Sequence, residues 1–289
     1  MTAQAQAATI RPGREDDVEA IEMVLLAHDE GPAGEPRVAP GAYHRYFRHL
    51  LTRGTVVVAE AGSSIVGFGA SVDTGRAVHL ADLFVLPDAI GEGIGRRLVE
   101  AVYPEGRPRT TFASDDPRAM HLYVGLGMTP LWPNFYLTGT ASRLPPTAGA
   151  VAVDVSWEEA AALELAWTGI DRSADYRLWS QRPGNRWFVV RGTDEAIAAG
   201  VSRARIRGSG RWLDRLIPGP GTDPTTAIVA ALSHAADDDG VIGACVMGPN
   251  PALKPLLVEC GFRIADRDTF MATDPELLDP RGIYDTGIP

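Results

Sequence analysis

The sequence predicts the α/β fold class, α+β in that strands and helices are partly segregated. It is organised as two tandem domains, each a mixed, mostly antiparallel twisted sheet flanked by helices. Three observations predict this. A chain of 289 residues is long for one ordinary domain and comfortable for two. Runs of β-branched residues joined by short polar turns signal hairpins, and a glycine-rich segment then opens an amphipathic helix. The outline also recurs: 60 residues separate Gly67 from Gly127, and 61 separate Gly200 from Gly261.

Each element has a local reason. Thr9 to Arg11 reads as a short strand, and Asp16 or Asp17 can cap a helix with Val18, Ile21 and Leu25 on one face. A second helix is expected over Tyr43 to Leu51. His44 and His49 in it are five apart, share no helix face and read as surface residues. Thr55 to Glu60 and Ile65 to Val72 flank a Gly62-Ser63-Ser64 turn, and Val78 to Leu86 adds a third strand. After the glycines, Ile94, Leu98 and Val102 recur every four residues along a helix. Then come a strand over Arg109 to Ala113, a helix started by Asp116-Pro117, and a last strand near Phe135 to Leu137. Thr138 to Ala150 is small, polar and proline-containing, which sets the domains at 1–140 and 151–289 with a linker at about 138–150. In the second part, Arg186 to Arg191 and Ala196 to Arg205 form a hairpin, a strand lies near Arg211 to Ile217, and Pro251 to Cys260 is a helix ending at Gly261-Phe262.

Composition narrows the function. Hydrophobic residues make up 45% and charged residues 22%, so the chain can bury a core and is not disordered overall. The net charge of −10, from 27 basic and 37 acidic residues, is shared about evenly between the two parts. An acidic surface repels phosphate backbones and anionic membranes and attracts small cations, so neither nucleic acid nor membrane is expected as a partner. No apolar run has the length of a membrane span, and Met1 to Pro12 lacks the basic segment and apolar core of a leader. A cytoplasmic location follows as the expectation. Cys245 and Cys260 have no metal-ligand spacing and are expected as reduced thiols, and no metal site is expected.

The chemistry is concentrated in Val85-Leu86-Pro87-Asp88-Ala89-Ile90-Gly91-Glu92-Gly93-Ile94-Gly95-Arg96-Arg97-Leu98, which runs from strand through glycines into helix. Glycines let a backbone approach an oxyanion closely, successive N–H groups point at it, and the helix dipole adds about half a positive charge. Arg96 and Arg97 add full charges. The same segment can also be read as a plain turn capping a helix. A P-loop needs a Gly-Lys-Ser/Thr ending that is absent, and a dinucleotide fold needs its glycines within a parallel βαβ unit, not after a hairpin meander.

These residues resemble the acyl-CoA loop of the GNAT superfamily of N-acyltransferases. That family's Arg/Gln-x-x-Gly-x-Gly/Ala pattern binds the CoA pyrophosphate and is matched by Ile90-Gly91-Glu92-Gly93-Ile94-Gly95, with Ile90 departing at the first position. A later family motif, Asn-x-x-Ala-x-x-Leu-Tyr followed by Gly-Phe, is matched by Asp116 to Tyr123 and Gly127-Met128, with Asp for Asn and Met for Phe. The likeness covers residues 8 to 140 well and the second part in outline, implying two tandem GNAT-like domains. It implies transfer of an acyl group, most often acetyl, from acetyl-CoA as cosubstrate to an amine. Backbone groups at Leu83, Phe84 and Val85 would meet the thioester oxygen, which gains charge during attack. Ile90, Gly91, Glu92, Gly93, Ile94, Gly95, Arg96, Asp116 and Ala119 would face the cofactor. Tyr123, at the family's tyrosine position, would protonate the leaving thiolate, whose free pKa is about 8.5 by analogy with cysteine. The bland reading of Tyr123 is an aromatic packed in the core.

The acceptor amine must lose a proton before it attacks. On the strand Val78 to Leu86, the period-two rule places His79, Ala81, Leu83 and Val85 on one face, with Asp82 on the other unless a bulge intervenes. His79 is therefore the first choice of base and Asp82 the second. Both cysteines lie in the second part, which favours direct transfer in a ternary complex over an acyl-cysteine route. In that part the matching loop reads Pro218-Gly219-Pro220-Gly221-Thr222-Asp223-Pro224, where three prolines lack N–H donors and Asp223 adds negative charge. Leu257 stands where Tyr123 would be. The second domain is thus expected to be degenerate, shaping the acceptor pocket or mediating self-association as a homodimer. The expected acceptor is a small-molecule amine. A non-catalytic acyl-CoA binding or regulatory module and a hydroxyl acceptor remain as alternatives.

Overall fold

A computed structural model describes residues 8–28, 38–147, 149–193, 195–206, 209–236 and 240–289. Residues 1–7 of the leader reading lie outside the described residues. The chain forms two compact units, Met1–Thr111 and Phe112–Pro289.

In the first unit, β1 (Thr9–Pro12), β2 (Gly54–Ala61), β3 (Ser64–Asp73) and β4 (Val78–Val85) form an antiparallel meander in that order, and β5 (Arg109–Ala113) joins β4 in parallel. α1 (Val18–Leu26) and α2 (His44–Arg53) precede the hairpin, and α3 (Ile94–Val102) follows β4. The two faces of the sheet differ in what covers them. Phe47 of α2 meets Phe68 of β3 edge-on at 5.4 Å, and Phe68 stacks on Phe84 of β4 at 5.7 Å. On the other face Gly69 leaves room for Leu98 and Val102, so α3 lies close against β3; Leu98 and Val102 are buried as their spacing predicts. On α1 the buried set is Val18, Ile21, Glu22 and Val24, so a carboxylate lies among the apolar residues and Leu25 is only half-buried.

The second unit begins with α4 (Pro117–Gly125) and β6 (Thr129–Thr140). Then come β7 (Val151–Asp154), α5 (Trp157–Thr168), α6 (Ser173–Ser180), β8 (Arg186–Arg191), β9 (Ala196–Ala204), β10 (Arg211–Pro218), α7 (Pro224–Ala235), β11 (Val241–Met247), a π-helical turn over Pro255–Glu259, and β12 (Arg263–Ala272). Its strand order is β12-β6-β11-β10-β9-β8-β7, antiparallel except between β10 and β11. Both units therefore have the mixed, mostly antiparallel sheets the sequence predicts. Leu137, Phe188, Leu213, Ile228, Leu232, Ile242 and Val246 form a fully buried core with α7.

The elements recur in order. The series from β1 to β6 matches the series from β7 to β12, with the π-helical turn in the place of α4. The sequence reads Pro251 to Cys260 as one regular helix, but only this short turn forms there. β6 closes the first series and lies between β11 and β12 of the second. The sequence repeat therefore ends after β6, whereas chain contacts group α4 and β6 with the second unit. β6 is also longer than the expected Phe135 to Leu137, because Pro130 and Pro133 obscure its start. Both prolines lie in the part paired with β12 before the ladder to β11 begins at Asn134, so β11 asks no N–H of them. Consequently Thr138 to Thr140 are strand residues, not linker.

Candidate active site

Strand β4 does not keep period two. Ala70 pairs with Asp82 and Ser71 with Leu80, so Ala81 is an extra residue in a β-bulge. Ala70 and Val72 share a face of β3, and their partners Asp82 and His79 therefore share a face of β4. This corrects the expectation that they point opposite ways. They differ instead in access. His79 is fully buried, with Nδ1 3.0 Å from the Thr110 hydroxyl on β5. Asp82 is half-buried and accepts a 2.7 Å hydrogen bond from the Tyr46 hydroxyl on α2.

α2 is itself held by the buried carboxylate of α1. Glu22 accepts from the Gly41 N–H at 2.5 Å and the Tyr43 N–H at 2.7 Å, and its Oε2 lies 3.1 Å from His44 Nε2. Glu22 thus serves the N-terminal end of α2, where helix N–H groups lack partners and a negative charge is favoured. His44 is partly buried against Glu22, which corrects its reading as a surface residue.

The β4–β5 ladder ends at Leu80↔Thr111, so Leu83, Phe84 and Val85 lie beyond β5's paired stretch. There His28 donates from Nε2 to the Val85 carbonyl at 2.9 Å, its ring 5.4 Å from Phe84. His28, Glu22 and Tyr46 were not among the residues singled out from the sequence. Glu22 left one signal, a carboxylate at a buried helical position, whereas His28 and Tyr46 are brought in from 57 and 36 residues away.

Beyond β4, Gly91 and Gly93 adopt left-handed backbone with φ of +97° and +74°, which non-glycine residues rarely take. Gly93 is the N-cap of α3 and contributes no side-chain cap bond. A Cβ added at Gly91 or Gly93 would meet nothing within 4 Å. The start of α3 is thus a set of backbone donors at the positive end of a helix, with space in front of it. Ile90 and Glu92 are exposed, and Ile94 anchors the helix in the core. Gly95 packs toward Val85, a Cβ there reaching its side chain at 3.9 Å. Arg96 is exposed, 3.7 Å from Glu100, while Arg97 is spent on the Ala8 carbonyl at 2.9 Å. Both arginines are exposed, but Arg97 is tied to the chain's start by its bond to Ala8.

Of the later motif, all in the second unit, Asp116 caps α4 by accepting from the Arg118 N–H at 2.9 Å. The Arg118 guanidinium also bonds this carboxylate and holds it below the ordinary aspartate range. Ala119 is half-buried and Tyr123 buried one turn later. In the second repeat, the N-cap of α7 is Asp223, whose carboxylate accepts from the Thr225 and Thr226 N–H groups at 3.2 and 3.1 Å. Burial pushes that carboxyl up, but these bonds outweigh it and hold it below its usual value.

Comparison with known proteins gives the class of this meander, bulged strand and uncapped glycine-rich helix start, that of an acyl-CoA-dependent transferase. Residues 52–127 match the family model described as an acetyltransferase (GNAT) domain. The mouse thialysine N-epsilon-acetyltransferase is 30% identical over 160 residues, covering 46% of this chain and 94% of that protein. Among solved structures, a GCN5-related N-acetyltransferase from Sphaerobacter thermophilus superposes with a TM-score of 0.58 at 14% identity, covering 98% of each chain. A tandem GNAT protein from the clavulanic acid biosynthesis pathway gives 0.57 at 17% identity over 93% of this chain and 99% of that one. The chain belongs to the GNAT acetyltransferase family and is an acyl-CoA-dependent acetyltransferase, with acetyl-CoA as cosubstrate. Among the described residues, no helix is long and apolar enough to cross a membrane.

Proposed function

We propose that the protein transfers acetyl from acetyl-CoA to the primary amine of a small cationic acceptor by direct attack in a ternary complex. The observation that carries this reading is the open, uncapped start of α3 behind the left-handed Gly91 and Gly93, which suits a pyrophosphate. The released edge at Leu83 to Val85 offers backbone donors for the thioester oxygen, and His28 steadies its far end. Asp82, held by Tyr46, is placed to attract the ammonium and take its proton, directly or through water. The full burial of His79 supports a structural role for that residue and favours Asp82 as base. The amine nitrogen then bonds the acetyl carbon, the carbon–sulfur bond breaks as Tyr123 gives its proton to the thiolate, and the second proton the nitrogen sheds restores the Tyr123 phenol through water. Asp223 at the start of α7, with prolines at 218, 220 and 224, supports a second repeat that does not hold CoA. The acidic balance of the chain suits cationic acceptors, and the name of the mouse relative, thialysine N-epsilon-acetyltransferase, points to an amine acceptor.

The test is calorimetric binding of acetyl-CoA to the intact chain and to Gly93→Asp. A carboxylate about 5 Å from a pyrophosphate bearing about two charges costs about 2 kcal/mol in high dielectric, roughly a thirtyfold loss of affinity. Equal binding by both proteins would remove the loop from the cofactor site. Tyr123→Phe should lose turnover while keeping acetyl-CoA affinity.

A further inference from the structure

The second unit carries a polar cluster on the sheet face opposite α7. Tyr136 of β6 is the register partner of Cys245, and Asn134, two residues earlier on the same face, is the partner of Asp268 on β12. Directly opposed residues of an antiparallel pair share a face, their Cβ atoms about 5 Å apart. Trp212 lies on this face too, because its ring covers Gly243, where an added Cβ would come within 2.3 Å of it. The Trp212 and Tyr136 rings stand 6.1 Å apart, and the Tyr136 hydroxyl also reaches Thr286, next to Asp285, at 3.4 Å.

Two groups here lack the partners that burial demands. Asp268 is half-buried and accepts from the Tyr136 hydroxyl at 2.6 Å, yet among the described residues no cation pairs with it; its neighbour Arg267 bonds Asp115 instead, at 2.9 Å. Burial pushes its carboxyl above the usual range, and the Tyr136 bond offsets this only in part. Asn134 is 2% exposed, and its Nδ2 has no acceptor among the described residues. An unpaired buried carboxylate and an unmade amide bond both cost free energy. Arg203, which lies beside Cys245, is engaged by Asp214 at 2.8 Å, so the cluster keeps a negative balance.

We propose that this cluster binds a small primary ammonium compound. The cation rests against Asp268 and the faces of Tyr136 and Trp212, and an uncharged carbonyl or hydroxyl oxygen of the same molecule accepts from Asn134 Nδ2. A cation within about 6 Å of an aromatic face is attracted by it, and a charge-assisted bond to Asp268 adds direction. A metal ion suits the cluster less, since among the described residues no three His, Cys, Asp or Glu side chains are arranged to hold one. The site needs neither the glycine loop nor a thioester and stands apart from the acetyl-transfer reading.

Calorimetry on the full chain without acetyl-CoA, with L-lysinamide as probe and hexanamide as uncharged control, tests it. Saturable binding of lysinamide alone is expected, weakened at least tenfold in Asp268→Asn and about fivefold in Asn134→Leu. Asp268→Asn is nearly isosteric and removes an unpaired charge, so it decides the matter even if Asn134→Leu fails to fold. Absence of saturable binding, equal affinity in Asp268→Asn, or binding lost only in Asp82→Asn would each overturn the proposal. The last of these would place the amine in the first unit and leave the acetyl-transfer reading intact.

Discussion

Tyr46→Phe removes one atom from the candidate site. The phenol donates at 2.7 Å to Asp82, while the ring of the adjacent Phe47 packs 5.3 Å from that of Tyr46. Phenylalanine keeps the ring and loses only the donor. A hydrogen bond to a charged acceptor contributes about 1.5–3 kcal/mol. If that bond holds the carboxylate where it meets the amine, kcat/KM falls by roughly ten- to a hundredfold. Asp82→Asn, which removes the base itself, should cost about 100- to 10,000-fold. The double variant should be no worse than Asp82→Asn, because the phenol acts only through the carboxylate. Thiol release from acetyl-CoA, measured with the best acceptor from an amine panel, gives the rates; melting curves check that each variant folds. Independent, additive losses in the double variant, or full activity of Tyr46→Phe, would refute this role.

Two further outcomes concern the second unit. The buried Glu164 faces Arg215 at 2.5 Å; burial pushes its carboxyl up, but Arg215 outweighs that and holds it below the ordinary glutamate value. Stability from this pair is therefore complete above the unfolded value of about 4.3 and is lost as pH falls through the lower folded value. Glu164→Gln should lower stability by about 3–5 kcal/mol at neutral pH, leaving Arg215 buried without its counter-charge, and flatten the acid limb in melts taken from pH 7 to 3. Gly243→Ala should cost at least about 1–3 kcal/mol, because the added Cβ meets both the Trp212 ring and the Leu137 carbonyl, and should shift the Trp212 fluorescence; an unchanged spectrum would contradict the packing drawn from the sheet register.

Much of the first repeat was legible because its signals are local. Apolar runs around the Gly62-Ser63-Ser64 turn placed β2 and β3, a four-residue recurrence placed α3, and Asp116-Pro117 announced α4. The glycine loop was legible for the same reason, since positive φ is a property of single residues. What could not be read was non-local. The bulge at Ala81 depends on pairing with β3, and it alone puts Asp82 on the face of His79. Tyr46 and His28 reach β4 only after α1 and α2 have packed, and Glu22 shows its purpose only once the start of α2 lies over it. The place of β6 between β11 and β12 is likewise a matter of strand pairing, which no residue in β6 announces by itself.

The two helix starts in equivalent positions, Gly93 before α3 and Asp223 before α7, set function against stability. Asp223 satisfies two backbone donors and contributes about 1 kcal/mol as an N-cap, and its charge bars an anion from the same donors. Gly93 forgoes that contribution and leaves the donors of α3 for a ligand. The first unit should therefore gain by binding what it lacks by capping. Acetyl-CoA at 100 times its Kd stabilises a folded protein by about 2.7 kcal/mol, visible as a rise in melting temperature. Asp223→Ala should lower the melting temperature through loss of about 1 kcal/mol, yet it should not add a second acetyl-CoA site. Removing the carboxylate frees the Thr225 and Thr226 N–H groups, but Pro218, Pro220 and Pro224 still offer none, so the loop ahead of them stays short of donors for a pyrophosphate. A binding stoichiometry that rose from one to two in Asp223→Ala would show that the carboxylate alone, and not the proline-bearing loop, keeps CoA from the second repeat.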